Sequence, residues 1–264
     1  MNNWQAIFFD IDDTLCRNGK LLKESREILE RLREERPDIS LFIATGRSSV
    51  MLPRDILDCL KARIFSGLVC MNGRLNFVEE AEISSYPMNK EDVIKIVELC
   101  RKYDLAYQQL SKKDIAWSRQ INEYENMFLL FPAYRIDANY YKNNEVHQLS
   151  VFLDDSRDVE KFKQELKKIS YRLAYWQKAG ADLLEEGVDK TRGIEDICNK
   201  LNINIENTIA FGDGLNDVEM LNTVGLGIAM QDGREEAKRV AKKICDTIEN
   251  KGIEKVLEEI SLFN

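Results

Sequence analysis

Several features are missing from this 264-residue sequence, and each absence argues against a class of protein. No stretch approaches the roughly 20 apolar residues that a membrane span requires, and the start, MNNWQAIFFDIDD, becomes acidic too soon for a secretory signal. The six cysteines form no CxxC pair, so we expect reduced thiols in a cytoplasmic protein. Excess positive charge is also absent: 46 Asp and Glu residues outnumber 38 Lys and Arg residues, and the formal net charge of -8 argues against nucleic-acid and anionic-membrane partners.

Short apolar segments recur in both outer parts of the chain, and helical patterns separate them. Segments this short, apolar on both faces, are typical of strands buried in a parallel sheet. Strands that alternate with helices predict an α/β fold, a doubly wound, Rossmann-like parallel sheet. The strand-like segments are AIFF before Asp10, LFIA before Thr45, GLVCM before Asn72, TIAF before Gly212 and GLGIAM before Gln231.

The middle of the chain has a different pattern. A helical stretch begins at Asn89, and the strand-like segments LAYQQLS, IAWSR, HQLSVFLD, RLAYWQ and ADLLEE carry more polar residues. Such alternation is expected where one face of a sheet meets solvent. Residues 119–146 predict a loop with a short helix. We therefore expect an α+β cap domain at residues 84–186, inserted into an α/β core made of residues 1–83 and 187–264.

Acidic residues follow two of the predicted strands. FFDIDDTL places Asp10 and Asp12 after the first strand, and GDGLND places Asp213 and Asp217 after TIAF. Ligands bind at the carboxyl ends of the strands in such sheets, so these carboxylates are expected to converge. Converging carboxylates repel unless a cation compensates them, and Mg²⁺ prefers oxygen ligands and bridges to phosphate oxygens. The pattern therefore predicts either a nucleophile with a general acid/base or a site for a hard cation such as Mg²⁺.

Two further segments complete a set of four motifs. ATGR offers the Thr45 hydroxyl with backbone amides, and GVDKTRGI offers Lys190 as a cation. In their order and spacing, DIDDTL, ATGR, GVDKTRGI and GDGLND resemble the motifs of the haloacid dehalogenase superfamily. Within it the chain is similar to the Cof-type phosphatases, which carry a large type IIB cap between the second and third motifs. The resemblance spans essentially the whole chain.

The resemblance implies a role for each matching residue. Asp10 would attack phosphorus and form an aspartyl-phosphate, while Asp12 would first protonate the leaving oxygen and then deprotonate the attacking water. Thr45 and Lys190 would hold the transferring phosphoryl group. Further contacts to phosphate or substrate are implied for Gly46, Asn72 and Asn216. Mg²⁺ would be held by the Asp10 carboxylate, the Asp12 backbone carbonyl and Asp213, with Asp217 in support.

A few positions depart from the family pattern. Asp13 stands where Gly is usual, and Arg74 follows NG where a small residue is common. AMQDG puts Asp232 where an amide often lies, and Ile248 occupies a position where Asn is expected. All four motifs stay intact, so these departures affect the expected substrate preference rather than the expected hydrolysis.

The sequence thus predicts an enzyme, a Mg²⁺-dependent phosphatase of small phosphorylated metabolites. Sugar phosphates, flavin mononucleotide-like cofactors and pyridoxal phosphate-like compounds all fit, and the cap would close over them. One alternative is a phosphomutase, which uses the same Asp pair but returns the phosphoryl group to a sugar. The other is a non-catalytic sensor of a metabolite phosphate. The sequence leaves the oligomeric state and the particular substrate open.

Overall fold

The computed structural model describes residues 3–121, 134–153, 158–176 and 180–263, and the chain forms two compact units. One unit comprises Met1–Gly46, Leu52–Ser84 and Lys190–Asn264. The other comprises Arg47–Met51 and Ser85–Asp189. The assignment of residues 84–186 to a substrate-selecting cap and of the remainder to a catalytic core stays a prediction.

The secondary structure alternates between strands and helices in the outer parts of the chain. The strands of the described residues are β1 (Ala6–Phe9), β2 (Cys16–Arg17), β3 (Lys20–Leu21), β4 (Ser40–Ala44), β5 (Gly67–Cys70), β6 (Leu75–Val78), β7 (Ala81–Ser85), β8 (Ala106–Leu110), β9 (Ile115–Trp117), β10 (Tyr134–Ile136), β11 (Gln148–Phe152), β12 (Tyr171–Tyr175), β13 (Gly180–Glu185), β14 (Thr208–Gly212), β15 (Leu226–Met230) and β16 (Lys243–Cys245). The α-helices are α1 (Lys23–Glu35), α2 (Arg54–Lys61), α3 (Lys90–Lys102), α4 (Val159–Lys167), α5 (Lys190–Leu201), α6 (Val218–Thr223), α7 (Glu235–Val240) and α8 (Gly252–Glu259).

The first unit is built on a sheet with the strand order β16-β15-β14-β1-β4-β5-β6-β7. Strands β1, β4, β5, β14 and β15 pair in parallel, as predicted. Strand β16, which was not predicted, pairs in parallel with β15. The side chains of β1 are fully buried on both faces: Phe8 stacks on Phe42 of β4 and Phe9 stacks on Phe211 of β14. Burial on both faces explains why these strands read as unbroken apolar segments.

The sheet departs from a wholly parallel arrangement at β6, which pairs antiparallel with β5. The two strands are joined by residues 71–74 alone, and a parallel crossover needs a dozen residues or more. Met71 and Asn72 adopt left-handed backbone conformations in this turn, with φ of 48° and 52°. The turn therefore reverses the chain and places Asn72 at the carboxyl end of β5.

The second unit contains a separate sheet with the order β10-β9-β8-β11-β13-β12. Its pairs are antiparallel except for β9 with β10. Asn89 caps α3, because its side chain accepts a hydrogen bond from the backbone N–H of Glu91 at 2.8 Å. The buried stripe of α3 joins Phe162 and Leu166 of α4 in one apolar core. Residues 122–133, within the predicted loop at 119–146, lie outside the described residues.

Two further features concern the cysteines and the composition of the helices. The six cysteines are all buried, and none forms a disulfide. Among the described helices, none combines the length and the apolar composition needed to traverse a lipid bilayer.

Candidate active site

Polar residues follow four parallel strands of the first unit at one edge of the sheet. Asp10 follows β1, Thr45 follows β4, Asn72 follows β5 and Asp213 follows β14. Because these strands run in the same direction, their carboxyl ends meet at that edge. The nine predicted site residues all belong to the first unit.

A buried lysine joins two of the acidic residues. Lys190 is the first residue of α5, its side chain is fully buried, and its Nζ donates to Asp10 Oδ1 and Asp217 Oδ1, each at 2.5 Å. Burial acts to lower the pKa of Lys190, but the two carboxylates outweigh it and hold the pKa above its ordinary value. Lys190 is therefore charged, and it fixes the orientation of the Asp10 carboxylate.

Asp217 anchors the loop that follows β14. Its Oδ2 accepts hydrogen bonds from the backbone N–H groups of Asp213 at 2.9 Å and Gly214 at 2.8 Å. The chain passes so close to this carboxylate that a Cβ added to Gly212 would lie 2.6 Å from Asp217 Cγ. Both oxygens of Asp217 thus accept hydrogen bonds within the protein. These bonds hold the loop that carries Asp213 in its conformation.

Asp10, Asp213 and Asp217 form one group of carboxylates. Each offers an oxygen atom, and these atoms lie within 4.8 Å of one another. Thr14 adds a contact that the sequence-based assignment missed: its hydroxyl donates to Asp213 Oδ1 at 3.1 Å. Thr14 belongs to the DIDDTL motif, so its position was visible in the sequence, but its partner is 199 residues away.

The electrostatics of this group favour a bound cation. Burial raises the pKa of Asp10 to about 7, against the lowering effect of Lys190. Burial, together with the charges of Asp10 and Asp217, raises the pKa of Asp213 to about 9. Three ionised carboxylates and one ammonium would leave a charge of -2, which a divalent cation neutralises. Hard oxygen donors at this spacing fit such an ion.

The neighbouring predicted residues form a second, neutral part of the site. Asn216 Nδ2 donates to Asn72 Oδ1 at 3.0 Å, and the backbone N–H of Asn72 donates to the Thr45 carbonyl at 3.1 Å. Thr45 and Asn72 are almost completely buried, whereas Gly46 at the end of the same segment is half-buried. Hydrogen bonds therefore connect three of the residues implied to contact phosphate, Thr45, Asn72 and Asn216.

Asp12 lies beside the carboxylate group without belonging to it. It is half-buried, its backbone forms an isolated bridge with Cys16, and its charge contributes to the raised pKa of Asp10. Asp13 next to it has a left-handed backbone with φ of 58°. Such a conformation explains why Gly is usual at this position, and Asp is among the residues that tolerate it.

The comparisons with known proteins agree with this geometry. The model of the haloacid dehalogenase-like hydrolase family matches residues 7–257. The chain therefore belongs to the haloacid dehalogenase-like hydrolase family.

Three similar proteins cover nearly the whole chain. "Putative phosphatase YkrA" of Bacillus subtilis (strain 168) is 28% identical over 263 residues, which are 98% of each chain. The 5-amino-6-(5-phospho-D-ribitylamino)uracil phosphatase YcsE of the same organism is 24% identical over 96% of this chain and 94% of its own. The solved structure of the subclass IIB sugar phosphatase BT4131 superposes with a TM-score of 0.87, at 27% identity, covering 98% of this chain and 100% of that one.

These findings confirm three of the predictions from the sequence. The superfamily and its subclass with a type IIB cap are confirmed, as is the α/β fold with an inserted α+β region. The predicted enzyme class, a haloacid dehalogenase-type phosphatase, is confirmed as well. The roles of the individual residues stay predictions.

Proposed function

We propose that this protein is a Mg²⁺-dependent phosphatase that hydrolyses small phosphorylated metabolites through an aspartyl-phosphate on Asp10. The observation that carries the proposal is the position of Lys190 Nζ between Asp10 and Asp217, with Asp213 in the same carboxylate group. A protein that only bound phosphate would have no need of a buried carboxylate at this point, because a carboxylate repels phosphate. A nucleophile does need one.

In the first step an oxygen of the Asp10 carboxylate attacks phosphorus, and the bond from phosphorus to the leaving oxygen breaks. Asp12 donates a proton to that leaving oxygen, so the alcohol departs neutral. Lys190 holds Asp10 in orientation through its hydrogen bond to Oδ1. Thr45 and Lys190 hold the oxygens of the transferring group, which suits a reaction that depends on positioning and charge neutralisation.

In the second step water attacks phosphorus, the bond to Asp10 breaks, and inorganic phosphate leaves. Asp12 takes the proton of the attacking water and returns to its starting state. Asp10, the Asp12 carbonyl and Asp213 would hold Mg²⁺, and Asp217, whose oxygens already accept hydrogen bonds, supports them. When bound, the ion supplies positive charge that keeps Asp10 and Asp213 ionised and offsets the charge of the phosphate.

For the substrate, we infer a phosphorylated sugar or a metabolite that contains a sugar-like chain. The support comes from similar proteins, which include a sugar phosphatase and a ribitylaminouracil phosphatase. Flavin mononucleotide-like and pyridoxal phosphate-like compounds belong in the same panel. We also infer a cytoplasmic location, because none of the six cysteines forms a disulfide.

The test is phosphate release from para-nitrophenyl phosphate and a panel of sugar phosphates, measured with Mg²⁺ and with EDTA. Wild type should need Mg²⁺, and Asp10→Asn should release no phosphate. Acid-quenched wild type should also gain the mass of one phosphoryl group on the peptide that contains Asp10.

The other outcomes separate the alternatives. Activity retained by pure Asp10→Asn protein would exclude Asp10 as the nucleophile. Slow net release that a sugar bisphosphate accelerates would identify a phosphomutase. Binding of a metabolite phosphate by folded wild type with no turnover on any substrate would identify a sensor.

A further inference from the structure

Arg17 has no part in the proposed chemistry, yet it joins three segments near the carboxylate group. Its guanidinium forms ion pairs with Asp13 Oδ1 at 2.7 Å, Asp232 Oδ2 at 2.6 Å and Glu249 Oε1 at 3.1 Å. These partners follow β1, β15 and β16 respectively. Two of them, Asp13 and Asp232, are positions where the sequence departs from the family pattern. The arginine compensates the charges that these departures introduce.

The first of these segments, which follows β1 and contains Asp13, contacts Asp213 through Thr14. Asp13 is held in its left-handed conformation by Arg17 and by its own N–H, which donates to the Cys16 carbonyl at 2.8 Å. The next residue, Thr14, donates its hydroxyl to Asp213 Oδ1. The conformation of Asp13 therefore determines where the Thr14 hydroxyl meets that carboxylate.

The second segment, which follows β15 and contains Asp232, contacts the backbone of Asp213. Asp232 is followed by Gly233 and Arg234, and the N–H of Arg234 donates to the Asp213 carbonyl at 2.7 Å. The contact is close, since a Cβ added to Gly233 would lie 2.8 Å from that carbonyl oxygen. Arg17 thus holds two segments that touch Asp213, one at its side chain and the other at its backbone.

We propose that Arg17 is a positioning residue for Asp213: by joining the Asp13 and Asp232 segments it holds the Asp213 carboxylate in place and so sets the affinity for Mg²⁺. This inference rests on the proposed function, because it takes Asp213 to be a magnesium ligand. Arg17 does not touch the ion in this account, and it acts only through Thr14 and Arg234.

The charge of Arg17 and its positioning have opposite effects on Mg²⁺ affinity. Removing a positive charge beside the site makes the local field more negative, which by itself strengthens the binding of a cation. Loosening the two segments around Asp213 weakens Mg²⁺ binding. The loss of a partner that orients a metal ligand typically lowers metal affinity by about 10–100-fold. The direction of the change in affinity therefore distinguishes the two effects.

The experiment is calorimetric titration of the full-length protein with Mg²⁺, without substrate. Arg17→Gln should bind Mg²⁺ about 10-fold more weakly than wild type. Arg17→Lys keeps the charge but lacks the planar fork that reaches several carboxylates, so its affinity should be intermediate. In a phosphatase assay the Mg²⁺ concentration for half-maximal rate should rise in parallel, while kcat at saturating Mg²⁺ returns to near the wild-type value.

Arg31 provides a matched control. It also pairs with three carboxylates, those of Glu35, Glu254 and Glu258, and its side chain is 29% exposed against 26% for Arg17. Its partners lie on α1 and α8, and none belongs to the carboxylate group. Arg31→Gln should lose comparable thermal stability and keep the wild-type Mg²⁺ affinity.

The possible results are distinct. Arg17→Gln that binds Mg²⁺ as tightly as wild type, or more tightly, overturns the inference and leaves the proposed function standing. Wild type that binds no Mg²⁺ overturns both. Asp232→Asn should weaken binding as well, and the double variant with Arg17→Gln should be less than additive, because both changes release the same segment. Full additivity would overturn the connection through Asp232.

Discussion

Lys190 illustrates how single buried charges organise this protein. Its ammonium and the Asp217 carboxylate are fully inaccessible, and Asp10 is nearly so. A buried ion pair of this kind is weak evidence for stability, but the removal of one partner leaves the other buried and uncompensated. For this reason, we expect substitutions of the charged site residues to change the stability of the protein as well as its activity.

Replacement of Lys190 by Met should therefore affect both stability and rate. We expect the free energy of unfolding at neutral pH to fall by about 3–5 kcal/mol, since Asp10 and Asp217 lose their cation. Phosphate release should fall at least about 100-fold, as when a preorganised donor to the reacting group is removed. Urea unfolding and steady-state kinetics check these two values. Wild-type stability in Lys190→Met would contradict the buried pair.

Thr14→Val tests the hydrogen bond to Asp213 with little change in shape. The variant should lose about 1 kcal/mol of stability and bind Mg²⁺ about 10-fold more weakly, because Asp213 loses the hydroxyl that orients it. Thr14→Ser keeps a hydroxyl and is the control, with near wild-type affinity expected. Calorimetric Mg²⁺ titration measures both variants. Equal affinity in Thr14→Val and wild type would show that the contact does not orient Asp213.

At the scale of elements, the site depends on the loops at the carboxyl ends of the strands. The parallel strands bring four chain segments to one edge. The loop after β1 then turns sharply at Asp13, and the loop after β14 turns sharply around Asp217. A loop that passes this close to a buried carboxylate leaves no room for a larger residue. The glycine at the end of β14 is the clearest case.

Gly212→Ala should disturb the loop that carries Asp213. The new Cβ would lie 2.6 Å from Asp217 Cγ, so the loop or the carboxylate must shift. We expect a loss of about 1–3 kcal/mol in stability, as for other overpacked positions, together with weaker Mg²⁺ binding by the folded protein. Chemical denaturation and calorimetric titration measure the two effects.

Gly225→Ala is the control for Gly212→Ala. Its Cβ would overlap the backbone carbonyl oxygen of Glu206, so it too should destabilise the protein. Because Glu206 is not part of the site, the folded fraction should keep the wild-type Mg²⁺ affinity. If both variants lose Mg²⁺ affinity equally, the loss in Gly212→Ala comes from general destabilisation of the fold and not from a change in the loop that carries Asp213.

At the scale of the whole molecule, the carboxylate group links stability to pH and to metal. The raised pKa values, about 7 for Asp10 and about 9 for Asp213, mean that the metal-free folded protein holds protons that the unfolded chain releases near pH 4. Where the folded state binds more protons, stability falls as pH rises. The metal-free protein should therefore lose stability progressively between about pH 4 and about pH 9.

Mg²⁺ should reverse this trend, since it replaces the protons. We expect the ion to raise the melting temperature more at about pH 8 than at about pH 5, with a stabilisation of about 2.7 kcal/mol when its concentration is 100 times the Kd. Differential scanning calorimetry with Mg²⁺ and with EDTA provides the measurement. Asp213→Asn should flatten the pH dependence and remove most of the Mg²⁺ effect. A Mg²⁺ effect that does not depend on pH would argue against this carboxylate group as the binding site.

Much of this molecule was determined by local sequence. The apolar segments that became β1, β4, β5, β14 and β15 were recognisable because burial on both faces demands unbroken apolar residues. Asn89 was recognisable as the start of α3, because Asn is favoured at a helix N-cap. Because parallel strands end at one edge, the order of the motifs was also enough to predict that Asp10, Thr45, Asn72 and Asp213 lie near each other.

Other features were decided only by the tertiary structure. The antiparallel β6 follows from a turn in which Met71 and Asn72 are left-handed. The Asn72-Gly73 pair is typical of a turn, but the pairing of β6 with β5 appears only in the structure. The hydrogen bond from Thr14 to Asp213 and the ion pairs of Arg17 with Asp232 and Glu249 join residues about 200 or more positions apart. Sequence patterns report on neighbours a few residues away, whereas such contacts exist only after the sheet has brought distant loops together. The charge balance of the buried site is therefore determined by the tertiary structure, because its charged residues come from separate segments of the chain.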